Sequence, residues 1–255
     1  MKKTAIKAAK EAGDFLNKNF TKIGRKNIFI KNAHEVVSKV DLGAEKIILK
    51  IIRSKFPQHN IFSEEIGKIN HNSDYLWAID PLDGSTNYLL HNPFYSVSIT
   101  LIKNGEPLLG VIYAPFLKRM FVAEKGKGAF LNGKRIKVST KTKLNKSFLT
   151  FCHGHQPKQL KRAIKIFQTF KLKGLEMRQF GSAALECAWV ASGITDNIMI
   201  PGTNLYDIAA GILLVREAGG KVTDFRGKNW DIKSKDMLCS NGKIHNKLLK
   251  YLKKI

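Results

Sequence analysis

Trp77-Ala78-Ile79-Asp80-Pro81-Leu82-Asp83-Gly84-Ser85-Thr86-Asn87 constrains the fold of this chain more than any other stretch. A short apolar run of strand-forming residues ends on a carboxylate. Pro81 sets its own φ and has no amide to donate, so the strand is expected to stop there. Asp83 follows three residues after Asp80, near enough for both carboxylates to serve one polar centre. Gly84 permits close backbone approach, and Ser85, Thr86 and Asn87 offer hydroxyls, an amide and N–H groups at a helix start. Such a grouping suits hard cations on one side and a phosphate on the other. The same residues also make ordinary Asx turns between strands. The upstream pair Glu64-Glu65 and the Ser-Thr-Asn continuation favour the site.

This stretch resembles the signature of the inositol monophosphatase family, magnesium-dependent and lithium-sensitive phosphatases. A second segment, Asn204-Leu205-Tyr206-Asp207-Ile208-Ala209-Ala210-Gly211, ends in Glu217-Ala218-Gly219-Gly220 and resembles the family's second signature. Taken alone, Asp207 reads as a helix N-cap. Beside the first signature it reads as a metal ligand. The similarity extends from about Asn27 to Asn241, and Gly126 to Gly133 includes the Gly-x-Gly-Ala-Phe run of the family's sheet. It implies an α/β (α+β) fold, a layered αβαβα sandwich of the sugar phosphatase type with a mixed sheet in each half, usually dimeric. Residues 1–255 then form one domain, with halves of about 1–140 and 147–255 meeting at the polar stretch Lys141 to Lys146.

The resemblance also implies residue roles. Glu64, Asp80 and the Leu82 carbonyl would hold a first Mg²⁺, and Asp80, Asp83 and Asp207 a second. A weaker third would use Glu64, and Mn²⁺ would substitute. Gly84 and Ser85 would hold the phosphate, with Asp83, Thr86, Ala183 and Asp207 also at the substrate. Asp41 and Ser85 would orient the attacking water with Glu64, Ser85 standing where many relatives have threonine. Without the resemblance, Asp41 is a plain N-cap ahead of Ile47, Ile48, Ile51 and Ile52, and Glu64-Glu65 is equally a solvated acidic turn. Many relatives carry an inositol-binding glutamate seven positions before the second aspartate, where this chain has Ile200. An aliphatic side chain accepts no hydroxyl hydrogen bond, so inositol-1-phosphate shares the field with fructose 1,6-bisphosphate, other sugar phosphates and adenosine 3',5'-bisphosphate.

The rest of the chain reads as an ordinary globular α/β protein. Ala5, Ala9, Ala12 and Leu16 recur at helical spacing, with Ile6 and Phe20 beside them, and replace the apolar core a signal peptide would need. A strand is expected over Asn27 to Ile30, a loop covering a site over Lys31 to Ser38, and strands at Ser96 to Ile102, Leu108 to Tyr113 and Met120 to Ala123. Asn104-Gly105 marks a hairpin turn. Phe148 to Phe151 and Asn197 to Ile200 are further strands, Gln156 to Phe170 a basic amphipathic helix, and Gly181-Ser182-Ala183-Ala184 the opening of another. Cys152, Cys187 and Cys239 form no CxxC pair, which argues against a disulfide framework or zinc site and for a reducing cytoplasm. No apolar run nears the roughly 18 residues of a membrane span. The net charge of +24 would attract phosphates or nucleic acid. It is spread over nearly every element and lacks an arginine-rich arm, which favours a solvated surface. Some bacterial members of the family act with RNA polymerase as transcription-associated factors, so that function stands beside the enzymatic one.

Overall fold

Helix α1 (Lys2–Asn19) shows how the first layer is built. Ala5, Ala8, Ala9, Ala12 and Leu16 form one fully buried stripe, and their small side chains let the helix lie close against a sheet. The computed structural model describes residues 1–22, 28–30, 36–154, 156–202 and 204–255, with only backbone described at 28–30 and 36–38. Most of the expected covering loop, Lys31 to Glu35, and Asn27 of the expected first strand lie outside the described residues. The neighbouring residues form a two-stranded ribbon, β1 (Ile28–Ile30) against β2 (Val36–Ser38).

The remaining strands form two mixed sheets. The larger comprises β3 (Asn60–Ser63), β4 (Gly67–Ile69), β5 (Tyr75–Asp83), β6 (Ser96–Lys103), β7 (Glu106–Ala114), β8 (Arg119–Glu124), β9 (Gly128–Leu131) and β10 (Lys134–Arg135). Their order is β10-β9-β8-β7-β6-β5-β3-β4, antiparallel except where β3 runs parallel to β5. The smaller sheet has the order β12-β11-β13-β15-β14, from β11 (Leu149–Phe151), β12 (Met177–Arg178), β13 (Asn197–Pro201), β14 (Lys221–Thr223) and β15 (Asp236–Ser240). Strand β11 pairs parallel with β12 and β13, and β15 pairs antiparallel with β13 and β14.

Apolar packing on the faces of these sheets makes five layers. Helix α1 and α2 (Lys39–Lys55) cover one face of the large sheet, packing on Trp77, Ile79, Val97, Ile99 and Val111. The opposite face of that sheet and the inner face of the small sheet share α5 (Ala183–Ala191) and α6 (Leu205–Glu217). Both helices are apolar nearly all round, as a layer buried on two sides must be. Gly110 of β7 meets α6 directly, since a Cβ there would sit 2.9 Å from the Ala210 carbonyl oxygen. Outside the small sheet lie α4 (Pro157–Lys171) and α7 (His245–Leu252), which bury Ile166, Phe170 and Leu248 against Met199 and Leu238. This is the α/β sandwich with two mixed sheets that the resemblance implied. No helix among the described residues is long and apolar enough to cross a membrane.

Candidate active site

Strand β5 does not stop at Pro81 as its imino ring suggested; it continues to Asp83. The reason lies in the pairing with β6. Asp80 opposes Ser98 but Asp83 opposes Ser96, so three steps on one strand match two on the other and the extra residue bulges out. A bulge releases Pro81 from the ladder hydrogen bond it could not make. It also changes the direction of the side chains. Residues three apart on a regular strand face opposite sides of the sheet, whereas Asp80 and Asp83 both line a single cavity of about 280 Å³. Gly84 then takes φ 89° and starts the five-residue helix α3 (Ser85–Leu89). A Cβ at Gly84 would lie 3.0 Å from the Phe94 carbonyl oxygen and 3.2 Å from the Ser182 Cβ, so both space and backbone angle call for glycine. A helix this short does not hold itself. Buried Tyr88 anchors it through a 2.7 Å hydrogen bond to the Leu16 carbonyl.

Asp83 ties the two halves of the chain together. Its Oδ1 accepts the Ala183 N–H at 2.9 Å, and its Oδ2 accepts the Ala184 N–H at 3.1 Å and the Ser96 hydroxyl at 3.1 Å. The Ser182 hydroxyl donates to the same Oδ2. A carboxylate from the large sheet thereby caps the first turn of α5, where the helix dipole favours negative charge. Burial raises the Asp83 carboxyl to about 6, with the Ser182 and Ser96 hydroxyls and backbone N–H groups opposing that rise.

Three more carboxylates reach the same cavity. Glu64 lies just beyond β3, its N–H donating to the Ile79 carbonyl at 3.2 Å, which sets it beside Asp80. Asp207 enters from the first turn of α6. It is not the N-cap: Asn204 has that place, and Asp207 sits at the third helical position with its Oδ2 accepting the Asn204 N–H at 3.2 Å. The cap fell three residues earlier because the Asn204–Asp207 pair forms a capping box. Burial drives the Asp80 carboxyl well above the usual range, and Glu64, Asp83, Asp207 and Asp41 add to the rise by repulsion. Asp207 is raised by burial and then by Glu64 and Asp83. Asp41 is 2% exposed in the first turn of α2 and is not on the cavity wall. Leu82, Gly84, Ser85, Thr86 and Ala183 all line the cavity.

Among the described residues, no three carboxylate, histidine or cysteine side chains close around an ion as they stand. The chemistry of the donor set nevertheless fits a hard cation. Several buried carboxylates repel one another, and positive charge among them would remove the cost that holds Asp80 and Asp207 toward their neutral forms.

The supports of this site were less visible in the sequence. Glu45, buried on α2, accepts the Ser63 hydroxyl and the Glu65 and Ile66 N–H groups, the latter two at 3.2 Å, and so holds the turn carrying Glu64. Its place four residues after Asp41, on the same helix face, was the available signal. Glu186, wholly buried on α5, accepts the Phe180 and Gly181 N–H groups at 3.1 Å each. Asn87 donates to the Phe180 and Phe94 carbonyls at 2.6 and 2.8 Å, linking α3 to that same turn. Cys152, His153, Gly154, Gln179 and Gly202 also line the cavity, with Ile200 among them and only 2% exposed.

A sequence model of the inositol monophosphatase family matches the chain over residues 1–255. The chain is 40% identical over 225 residues to a Nus factor SuhB of Xylella fastidiosa, covering 87% of this chain and 81% of that protein. It is 38% identical over 221 residues to a fructose-1,6-bisphosphatase/inositol-1-monophosphatase of Thermotoga maritima, covering 87% and 84%. The crystal structure of the extragenic suppressor protein suhB from Bartonella henselae matches with a TM-score of 0.92 at 35% identity, over 99% of this chain and 98% of that one. An inositol monophosphatase structure from Anabaena matches with a TM-score of 0.85 at 38% identity, over 100% and 95%.

Proposed function

The chain belongs to the inositol monophosphatase family, and from that premise we propose that it is a Mg²⁺-dependent phosphomonoesterase acting on a small phosphorylated polyol or sugar. The observation that carries this reading is the convergence of Glu64, Asp80, Asp83 and Asp207 with Ser85 and Thr86 on one cavity. The carboxylates of Glu64, Asp80, Asp83 and Asp207, with the Leu82 carbonyl, would hold the ions. When bound there, Mg²⁺ supplies Lewis-acid polarisation of the phosphoryl oxygens and of water.

The chain's own residues do the rest. Helices cannot satisfy their first N–H groups internally, and those at Gly84, Ser85 and Thr86 face the incoming phosphate as donors. The Ser85 hydroxyl orients the attacking water together with Asp41, which is not on the cavity wall. Ala183 lies at the junction where Asp83 caps α5, close to the substrate's carbon skeleton. Ile200 in the cavity lining offers an aliphatic side chain where a polyol would want an acceptor, which shifts preference from inositol 1-phosphate toward substrates with fewer hydroxyls.

Phosphate release from inositol, fructose, glycerol and adenosine phosphates, with Mg²⁺ and with chelator, tests this reading. Mg²⁺-dependent turnover is expected on at least one polyol or sugar phosphate, with inhibition by Li⁺. Turnover unaffected by chelation would refute it. A second reading rests on the Nus factor name of the Xylella relative and on the charge of +24: association with the transcription machinery. Co-purification with RNA polymerase by a chain lacking any phosphatase activity would favour that reading.

A further inference from the structure

A second cavity is larger than the carboxylate-lined one. About 810 Å³ opens beside the small sheet, between the start of α4, the loop joining β14 to β15, and the residues following α7. Seven cationic side chains line it: Lys158, Arg162, Arg226, Lys228, Lys233, Lys235 and Lys253. Three side-chain carboxylates line it as well, and each is already used to build the wall.

Asp224 Oδ1 accepts the Arg226 and Lys228 N–H groups at 2.9 and 2.8 Å. Asp231 accepts the Lys233 N–H at 2.9 Å and pairs with Lys228 at 3.1 Å. Asp236 accepts the Phe225 N–H at 2.8 Å and pairs with Arg162 at 2.9 Å. The acids therefore stiffen the loop from beneath. Among the described residues, Lys158, Arg226, Lys233, Lys235 and Lys253 have no carboxylate partner within ion-pair distance, although all line one concavity. Like charges collected on a stiff wall raise the local potential and draw anions in.

The lining also indicates which anion. The cavity's aromatic ring, Phe225, is 2% exposed and is covered by the Arg162 guanidinium 5.1 Å from its centroid. Grooves for single-stranded nucleic acid pair their cations with open aromatic faces on which bases stack, and this wall presents none. We propose that the cavity is a binding site for a base-free, phosphate-dense anion, of which linear inorganic polyphosphate is the simplest form. The site stands apart from the carboxylate cavity and does not depend on the phosphatase reading.

Calorimetric titration of the Mg²⁺-loaded protein with Mg²⁺-saturated tripolyphosphate tests it. Expected is saturable binding that weakens steeply with salt, because each phosphate neutralised releases counterions. The triple substitution Arg226→Gln, Lys233→Gln, Lys235→Gln should weaken binding at least tenfold and leave phosphomonoester turnover and melting temperature unchanged. A control removing the same charge from α1 and α2, Lys3→Gln, Lys7→Gln, Lys55→Gln, should stay within twofold of the parent. The Asp83→Asn protein should retain the tripolyphosphate site while losing turnover. Equal weakening by both triples would assign the effect to the general field of the protein and overturn the proposal. So would absence of binding, loss of binding in Asp83→Asn, or tighter binding of a single-stranded RNA with the same number of phosphates.

Discussion

In the cavity at the ends of β5 and α6, like charges are buried, and burial combined with repulsion pushes Asp80 and Asp207 toward their neutral forms. In the cavity beside α4, cations outnumber acids, and all of its lysines and Arg226 stand exposed to solvent. Solvent makes the difference. Water and salt screen exposed lysines within about a Debye length, so a basic rim costs the fold little. A carboxylate shielded from water has only protein groups or a ligand to compensate it. The first cavity is thus built at a cost that a cation would relieve; the second is an open field that any suitable anion can sample.

The largest effect should come from breaking the buried set. Asp83→Asn and Asp207→Asn each remove a carboxylate charge from the proposed metal site while keeping shape, and phosphate release should fall on the order of a hundredfold or more, since metal-supplied charge stabilisation is worth several kcal/mol. Asp83→Asn should in addition lower the melting temperature, because its carboxylate caps α5; Asp207→Asn tests the ligand role with α5 intact. Turnover equal to the parent in both would show that burial there serves folding alone.

Titration sharpens the contrast next. Burial raises the Glu186 carboxyl from 4.5 to about 8, so the folded state keeps a proton that the unfolded chain gives up. The stability this confers is complete below about pH 4.5 and is lost as pH rises toward 8. Glu186→Gln should therefore flatten that decline in melting experiments between pH 5 and 8. His245 has the opposite sign. Burial lowers it from 6.5 to about 4, with its ring nitrogens at 2.8 and 2.9 Å from the Ser240 and Thr223 hydroxyls. Stability is lost there as pH falls from about 6.5 toward 4, and His245→Asn should be less sensitive to acid over that interval. Parallel pH profiles for parent and variants would refute either assignment.

A smaller effect belongs to the wall of the first cavity. Ile200→Gln introduces a hydrogen-bonding group at a position now aliphatic, and one net hydrogen bond of about 0.5–1.5 kcal/mol corresponds to roughly a two- to tenfold gain for inositol 1-phosphate over glycerol phosphate in kcat/KM. An unchanged ratio would remove Ile200 from specificity. The smallest effect is expected at the basic rim, where Lys228→Gln breaks an exposed pair with Asp231 at 3.1 Å. Chemical denaturation should register almost no shift of the unfolding midpoint, since exposed pairs are screened by solvent, and a clear loss would mean that the rim is structurally coupled to the fold.

Local chemistry was legible in the residues themselves. The alanine stripe of α1, the alternation of β6, the two aspartate-bearing segments and the glycine at the start of α3 each follow from short-range sterics and periodicity, which a linear pattern records directly. The course of β5 through Pro81 was not legible, because only the pairing with Ser96 and Ser98 shows that the chain bulges there and turns Asp80 and Asp83 to one side. The same holds for Glu45 and Glu186, two buried carboxylates whose partners lie on other turns, and for the cavity beside α4, assembled from three separated segments. The sequence by itself determined which residues could bind cations or phosphate, since donor type and local backbone preference are carried by each residue. Tertiary structure decided which of them are shielded from water and which face one another, because desolvation and through-space repulsion depend on distances that sequence separation does not contain.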